Sequence, residues 1–374
     1  MLDLLRTLLE EFQEKMLRFD GGIKREICFP DIKNKIMVAI GMRRVGKTYL
    51  MLQTIKELLN SIPITRILYI NFEDDRLMPM EQNNLAELMD GFYSLYPENH
   101  DQECYIFLDE IQNVKNWHEV IRRYFDTKNV KIYLTGSSSK LLSKEIGTSL
   151  RGRSVAIEVW PLSFKEKYGE IKSVLGQPSL DKFKQTLNQY LDEGGFPEVI
   201  DLRPEERSKI LREYVSVVIF RDIVERYHVT NISLVRYLIK TLLRNVGGSL
   251  STNKLFNDLK SQGFNIGKMT VYDYLDYISD AYLAFQVPLY SESLRKTESN
   301  LKKIYAVDTG LVKAYSMTLL ENKGHYFENL FFLDLKRKGH EVYYYLTQSR
   351  KEIDFLSRDL LGKWHMHQVC LDLS

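Results

Sequence analysis

The stretch Gly41-Met-Arg-Arg-Val-Gly46-Lys47-Thr48 decides the fold, because it matches the pattern G-x-x-x-x-G-K-[ST] at every fixed position. The apolar run of residues 35–40 before it is typical of a buried parallel strand, and residues 48–60 after it carry apolar side chains at helical spacing. A strand, a glycine-containing loop and a helix in this order form a phosphate-binding loop, whose backbone N–H groups face an anion. The stretch therefore predicts binding of ATP or GTP; the alternative is a glycine-rich turn without a ligand.

The fixed residues of this loop each have a chemical role on a nucleotide triphosphate. Gly41 and Gly46 allow the backbone to bend so that its N–H groups point inward at phosphate oxygens. Lys47 brings a compact positive charge to the β- and γ-phosphates, and the Thr48 hydroxyl is a ligand for Mg²⁺. We expect the nucleotide to contact the loop through Gly41, Arg43, Arg44, Val45, Gly46, Lys47, Thr48 and Tyr49.

A second motif, Cys104-Tyr-Ile-Phe-Leu-Asp109-Glu110, has the pattern of a buried strand that ends in two acids. We expect Asp109 to hold the Mg²⁺ shell and Glu110 to polarise the water that attacks the γ-phosphate. The alternative is that the acids cap the following helix, predicted over residues 116–125. A further predicted strand, residues 66–72, lies between the two motifs, which together with Glu110 favours a hydrolysing enzyme over a nucleotide kinase.

Residues 130–139 form a predicted strand that ends in three serines, and arginines follow it. We expect Ser137 or Ser138 to bond the γ-phosphate or the attacking water, although a serine-rich loop that caps a helix is an equal alternative for each. Arg153, and less so Arg151, is a candidate to neutralise charge on the transferring phosphoryl group, within its own subunit or on a neighbour. A surface ion pair is the alternative for either arginine.

These motifs, with Asn71-Phe-Glu-Asp74, Phe107-Leu-Asp-Glu-Ile-Gln112, Leu150-Arg-Gly-Arg153 and Pro161-Leu-Ser-Phe164, resemble a prokaryotic AAA+ ATPase family with an uncharacterised C-terminal region. The resemblance continues through Gly194-Gly-Phe-Pro197, Arg221-Asp-Ile-Val224, Val307-Asp-Thr-Gly310 and Glu352-Ile-Asp-Phe355. The resemblance implies an α/β fold with a P-loop ATPase core, followed by a helical segment, a winged helix and a C-terminal domain with a fold like that of restriction endonucleases. It alone favours ATP over GTP. The expected parts are a lead-in helix (1–30), the ATPase core (31–163), a helical lid or linker (164–231), the winged helix (232–310) and an incomplete nuclease-like region (311–374).

Composition limits the partners of the chain. With a net charge of +2 over 374 residues there is no general attraction to nucleic acid, so any DNA contact must come from a local patch. Three widely spaced cysteines favour reduced thiols and a cytoplasmic location. The longest apolar runs are too short to span a bilayer, so we expect no membrane segment.

The predicted winged helix has helices over residues 234–245, 252–262 and 268–281, followed by two strands. The third helix usually enters the DNA major groove, and Lys268, Thr270 and Tyr272 stand at its start. Asp273, Asp276 and Asp280 on the same helix would repel phosphates, whereas the following wing is basic. The wing residues are Arg295, Lys296, Lys302 and Lys303. DNA contact and docking of a protein partner, or of a second copy, therefore remain alternatives for the winged helix.

Arg221, which precedes this region, is either a nucleotide sensor or one member of a surface ion pair.

The nuclease-like region carries Glu328 on a predicted helix, Asp354 on a strand, and Gln368-Val-Cys370 where the resemblance expects Glu-x-Lys. One carboxylate and the lysine ammonium that a Mg²⁺-dependent nuclease needs are missing, unless Lys351 substitutes. Nuclease activity is therefore not expected. The function that these patterns favour is Mg²⁺-dependent ATP hydrolysis coupled to DNA, with an ATP-gated switch that docks a protein partner as the alternative.

Overall fold

The computed structural model describes residues 1–137, 149–169, 180–293, 297, 301–316, 323–349 and 351–370. The chain divides into two units. The first consists of Met1–Gly41 and Gly46–Val159, and the second of Met42–Val45 and Trp160–Ser374.

The first unit is a parallel sheet with flanking helices. Its elements are α1 (Leu2–Arg18), β1 (Ile36–Gly41), α2 (Lys47–Leu58), β2 (Ile67–Asn71), β3 (Met80–Glu81), α3 (Gln82–Leu95), β4 (Cys104–Asp109), β5 (Val114–Lys115), α4 (Trp117–Thr127), β6 (Val130–Ser137) and β7 (Ser154–Glu158). The strands and helices predicted around the two nucleotide motifs are confirmed to within two residues at each end. Both β1 and β4 are buried along their whole length, as a continuous apolar run in a covered parallel sheet requires.

The strand order of the main sheet is β2-β4-β6-β1-β7, with every neighbouring pair parallel. Although β2 separates the two motifs in sequence, β6 separates β1 from β4 in the sheet. Residues Ile40 and Gly136 are register partners, as are Leu108 and Leu134. The carboxyl ends of β1, β6 and β4 therefore lie side by side, at the edge where parallel sheets bind ligands.

The N-terminal helix α1 is amphipathic and belongs to the core of the first unit. Its apolar stripe, made of Leu5, Leu9, Phe12 and Met16, is buried. The Phe12 ring stacks on Tyr69 of β2 with 5.2 Å between ring centroids. The prediction that this leucine-rich segment packs on the ATPase core is confirmed.

In its described residues the second unit is mainly helical, with two small antiparallel sheets. Its elements are α5 (Phe164–Tyr168), α6 (Leu180–Glu193), α7 (Pro204–Val217), a π-helix (Val218–Val224), α8 (Glu225–Tyr227), α9 (Ile232–Arg244), β8 (Ser249–Leu250), α10 (Thr252–Ser261), α11 (Lys268–Asp280), β9 (Ala284–Pro288), β10 (Lys302–Ala306), α12 (Thr309–Tyr315), α13 (Lys323–Arg337), β11 (Glu341–Leu346), β12 (Glu352–Arg358) and β13 (Trp364–His367). The sheets have the orders β8-β10-β9 and β11-β12-β13. Within the described ranges, no helix is both long enough and apolar enough to cross a membrane.

Most of the predicted elements of this unit are present, but the last strand is shorter than expected. The sequence predicts a strand over residues 364–371, whereas β13 ends at His367. Gln368 Nε2 and the Val369 backbone N–H both donate to Asp354 Oδ2, at 2.6 and 2.8 Å. A side chain, rather than a neighbouring strand, therefore holds the chain after His367.

A buried carboxylate joins two of the resembling motifs, Gly194-Gly-Phe-Pro197 and Val307-Asp-Thr-Gly310. Asp308 is buried, and its two oxygens accept from the backbone N–H groups of Gly195 (2.7 Å) and Leu311 (2.9 Å). A Cβ on Gly194, whose φ is +75°, would lie 2.1 Å from Asp308 Oδ1. Both motifs are accordingly explained by close packing inside the second unit.

Candidate functional site

The phosphate-binding loop leaves β1 and enters α2 through three left-handed or positive-φ residues: Gly41 (φ +149°), Arg44 (φ +68°) and Gly46 (φ +98°). A Cβ on Gly41 would lie 2.2 Å from the carbonyl oxygen of Val159. The sequence motif predicts glycine here only for the approach of a phosphate. The close contact with the backbone after β7 is a second and sufficient reason.

Lys47 and Thr48, the first residues of α2, both point back toward the ends of the strands. The Lys47 side chain is buried, and its Nζ donates to the carbonyl oxygen of Gly41 at 3.0 Å. Thr48 Oγ1 donates to Asp109 Oδ2 at 2.7 Å. The loop and the end of β4, predicted separately from the sequence, are thus joined by a direct hydrogen bond.

Asp109 is the centre of a buried hydroxyl cluster. It has no exposed surface, and besides Thr48 it accepts hydrogen bonds from the hydroxyls of Tyr69 (3.1 Å) and Thr135. Burial raises the pKa of Asp109 above its ordinary value, and the bonds from Thr135 and Thr48 offset part of that rise. Burial also raises the pKa of Tyr69 well above its ordinary value, with the charge of Asp109 adding to the shift, so Tyr69 remains a hydrogen-bond donor.

Tyr69 and Thr135 are the residues that sequence reasoning missed. Both lie on strands next to β4, Tyr69 on β2 and Thr135 on β6. Thr135 was visible as a hydroxyl near the end of a predicted strand, whereas nothing in the sequence distinguishes Tyr69 from a core tyrosine. Only the strand order brings both to Asp109.

Glu110 follows β4 in a left-handed conformation, with φ of +53°, and is nearly buried. Its backbone N–H donates to Thr135 Oγ1 at 2.9 Å, and its carboxylate accepts from the amide of Gln112. A 3₁₀ turn (Ile111–Asn113) intervenes before α4, which has Asn116 at its N-cap. The alternative that the two acids cap this helix is therefore wrong.

The hydroxyl and arginine candidates are only partly described. Ser138 lies outside the described residues, and of Ser137 only the backbone is described, in β6 as the register partner of Gly41. Arg153 pairs with Asp126: Nε and Nη2 donate to its two carboxylate oxygens at 3.0 and 3.1 Å. This is the arrangement that the surface ion-pair alternative predicts for Arg153 within one chain, while Arg151 is exposed.

Four further nucleotide-contact candidates, Arg43, Arg44, Val45 and Tyr49, differ in their surroundings. Arg43 Nε donates to both oxygens of Asp222 at 3.1–3.2 Å, and Arg44 Nη1 lies 2.9 Å from Glu198 Oε1. Val45 is buried, and Tyr49 is 53% exposed.

The residues present fit a magnesium–nucleotide complex. Thr48 and Asp109 offer hydroxyl and carboxylate oxygens, which are ligands that Mg²⁺ prefers. A cation would also offset the cost of burying the Asp109 charge, which the raised pKa reflects. Within the described part of the chain, no group of three or more His, Cys, Asp or Glu side chains is placed to hold a metal by itself. Phosphate and water oxygens would have to complete the shell.

Lys303 of the wing and the nuclease-like residues Glu328 and Asp354 lie in one cluster. Lys303 of β10 is 3% exposed, and its Nζ lies 2.8 Å from Glu328 Oε1, 2.6 Å from Glu352 Oε1 and 3.5 Å from Asp354 Oδ1. The alternative that the wing contacts DNA is therefore wrong for Lys303, because its ammonium is buried among carboxylates. Lys303, and not Lys351, supplies the ammonium beside Glu328 and Asp354.

The remaining DNA-contact and sensor candidates differ in exposure. Arg295 and Lys296 of the wing lie outside the described residues, and Lys302 is half-buried. Lys268 at the start of α11 is exposed, as are Asp273 and Asp276. Arg221 pairs with Glu225 on the same helical run at 3.1 Å, both side chains being more than half exposed, as the surface ion-pair interpretation predicts.

Comparison with known protein families supports the prediction of an ATPase core. Residues 33–168 match the AAA domain family, and residues 184–322 match a domain of unknown function (DUF8612). Since the second match carries no functional description, the winged-helix and nuclease-like interpretations stay predictions.

Two relatives match nearly the whole chain. Uncharacterized protein MJ1544 of Methanocaldococcus jannaschii is 37% identical over 361 residues, which is 94% of this chain and 78% of the relative. An uncharacterized protein of Haemophilus influenzae is 32% identical over 348 residues, or 92% of this chain and 84% of the relative. The solved structure of the Aeropyrum pernix ORC1 protein in complex with DNA is 13% identical, covers 83% of this chain and 91% of that chain, and has a TM-score of 0.29.

Proposed function

The chain belongs to the same family as MJ1544 and carries an AAA domain, and on that premise we propose that it is a Mg²⁺-dependent ATPase. The observation that carries the proposal is the 2.7 Å hydrogen bond from Thr48 to Asp109. It joins the end of the phosphate-binding loop to the end of β4, as a shared magnesium and phosphate site requires.

Each residue of this site has a separate role in the transfer of the phosphoryl group to water. The loop N–H groups and Lys47 bind the phosphates, and Thr48 with Asp109 would hold a magnesium ion, which would supply positive charge to the phosphate oxygens. Glu110 orients the attacking water and takes up its proton. Thr135 fixes both acids, because its hydroxyl bonds the Asp109 carboxylate and accepts from the Glu110 N–H.

The test is phosphate release from ATP by the wild type, Glu110→Gln and Lys47→Ala. Loss of a positioned base lowers hydrolysis about 10²-fold or more, while ATP binding remains. Lys47→Ala should lose ATP binding as well. Glu119→Gln on α4 is the matched control, because Glu119 is an exposed carboxylate. Equal turnover by Glu110→Gln and the wild type would rule out the role given to Glu110.

A role of Arg153 in neutralising charge on the transferring phosphoryl group is tested by a separate measurement. Arg153 is engaged with Asp126 in the single chain, so a role in catalysis requires that this exposed pair opens. Arg153→Ala should then lower turnover, while Asp126→Asn should leave it unchanged or raise it. Equal losses in both variants would mean that the ion pair only supports the fold.

For the output of the ATPase we place docking of a protein partner ahead of DNA contact. The burial of Lys303 removes one of the basic residues on which the DNA hypothesis rests, and the exposed acids Asp273 and Asp276 would repel phosphates. Binding to duplex DNA at low and moderate salt separates the two outputs. A steeply salt-dependent affinity that Lys268→Ala weakens would restore the DNA hypothesis.

A further inference from the structure

The tip of the phosphate-binding loop is anchored by residues far away in sequence. Residues Met42–Val45 cluster with Trp160–Ser374 as part of the second unit, whereas the glycines on either side belong to the first. Within that unit the two arginines of the tip each meet a carboxylate: Arg43 meets Asp222 and Arg44 meets Glu198.

The Arg43–Asp222 pair is the more buried of the two. The side chain of Asp222 is 3% exposed and that of Arg43 is 20% exposed. A carboxylate this deep is stable as an anion only with a partner, because the loss of hydration is not repaid otherwise. Asp222 thus fixes where the Arg43 guanidinium must be, and with it the loop backbone.

Asp222 also sits at an unusual place in its helix. Residues Val218–Val224 form a π-helix between α7 and α8. A π-helical insertion changes which side chains share a helix face, and such insertions occur often at functional sites. Here Arg221 is exposed and pairs with Glu225, while the next residue, Asp222, is buried against Arg43.

The second pair involves a residue with a left-handed backbone. Arg44 adopts φ of +68°, a left-handed conformation that non-glycine residues keep only where their surroundings enforce it. Its guanidinium pairs with Glu198 and lies 5.9 Å from the centroid of the Tyr214 ring. Tyr214 in turn donates to the other oxygen of Glu198 at 2.5 Å. Both arginines of the tip are therefore held by acids of the second unit.

We propose that Asp222 is a positioning residue for nucleotide binding, which holds the phosphate-binding loop in its bent form by pairing with Arg43. The proposal rests on the proposed ATPase function and adds to it a residue that does not touch the nucleotide. A loop that is already bent loses little conformational freedom when ATP binds, whereas a loop released from Asp222 must be ordered by the ligand. By reciprocity, bound ATP favours the paired state of Asp222, so the π-helix responds to nucleotide occupancy.

The test is the Kd for MgATP, measured by calorimetry on the full chain, for the wild type and Asp222→Asn, Arg43→Gln and the double variant. Each single substitution should weaken ATP binding about tenfold. The double variant should bind ATP no more weakly than the weaker of the two single variants, because both substitutions remove the same interaction. Glu225→Gln, an exposed carboxylate three residues further along, is the matched control and should keep the wild-type Kd.

Thermal unfolding without nucleotide separates positioning from stability. If Asp222 only supports the fold, Asp222→Asn lowers the unfolding temperature and leaves the Kd unchanged, which would overturn the proposal. If Asp222→Asn does not fold, the charge-free double variant takes its place, and a wild-type Kd there has the same meaning. A wild type that binds no ATP would instead refute the proposed function, with Lys47→Ala as the reference for lost binding.

Discussion

The substitution Lys303→Met tests whether the buried ammonium of β10 stabilises the second unit. Methionine has a similar length and volume but no charge, so it leaves the carboxylates of Glu328, Glu352 and Asp354 facing one another without a cation. Two of these three side chains are nearly buried, at 10% and 13% exposure. Removing one partner of a buried ion pair costs about 3–5 kcal/mol.

That cost translates into a measurable change in thermal stability. For a unit of this size 1 kcal/mol corresponds to roughly 2–4 °C, so we expect the unfolding temperature to fall by roughly 6–20 °C. Lys302→Met is the matched control: Lys302 is the preceding residue on β10 and is half-buried rather than buried. Differential scanning calorimetry of the wild type and the two variants measures the difference directly.

The pH dependence of the same comparison has a definite sign. Burial lowers the pKa of Lys303, but the hydrogen bonds and charges of Glu328 and Glu352 outweigh it, so the pKa lies above its ordinary value. The folded pKa is thus above the unfolded value of about 10.4, and the stability that it contributes is present below that pH and lost as the pH rises further. The advantage of the wild type should shrink above about pH 10.4. A variant within about 1 kcal/mol of the wild type at pH 7 would refute the buried-pair reasoning.

Three further changes separate packing, charge and hydrogen bonding. Gly194→Ala should destabilise the second unit by about 2–4 kcal/mol in urea unfolding, because its Cβ meets a carboxylate oxygen at 2.1 Å in addition to positive φ. Gly169→Ala, with φ of +63° and no atom of a described residue within 4 Å of a Cβ, should cost only about 1 kcal/mol, and equal losses would contradict the clash. Asp109→Asn should raise the unfolding temperature of the nucleotide-free protein at pH 7. The pKa of Asp109 is higher in the folded than in the unfolded protein, so the buried carboxylate favours folding only at acidic pH, and its charged form lowers the free energy of unfolding at pH 7. The same variant should raise the Mg²⁺ concentration at half-maximal hydrolysis about 10–100-fold. A lower unfolding temperature of Asp109→Asn would instead show that the ionised carboxylate stabilises the fold. Tyr69→Phe removes a hydrogen bond to Asp109 and should raise the Mg²⁺ concentration at half-maximal hydrolysis about tenfold. The factor follows because a hydrogen bond to a charged group contributes about 1.5 kcal/mol. Tyr105→Phe, which removes a bond to Glu103 instead, should leave that concentration unchanged.

Local sequence was enough to predict the nucleotide loop and the strands around it. Residues Gly41 and Gly46–Thr48 form a contiguous pattern whose backbone geometry depends on near neighbours only. The same holds for β4 with its two terminal acids, because an apolar run of this length between polar segments has few other stable arrangements. Strands and helices of the second unit were predicted for the same reason.

Pairings across the chain could not be predicted in this way. Tyr69 and Thr135 reach Asp109 only because β2 and β6 flank β4 in the sheet, and strand order is not written in the periodicity of any one strand. Ser137 and Ser138 were preferred as hydroxyl candidates because they end the strand, yet Thr135 is the residue of β6 whose hydroxyl bonds Asp109. Arg153 looked like a catalytic arginine by position, and its pairing with Asp126 depends on the packing of α4.

The sequence by itself determined the phosphate-binding loop, the acids after β4 and the α/β core, because these depend on short-range rules of backbone conformation and hydrophobic periodicity. Only the tertiary structure decided that Lys303 is an internal counter-ion rather than a surface cation, and that Asp222 anchors Arg43. A charged side chain looks the same in sequence whether it faces water or a carboxylate from a distant element. Its role is set by which groups folding places within a few ångströms of it, since buried charges must be paired.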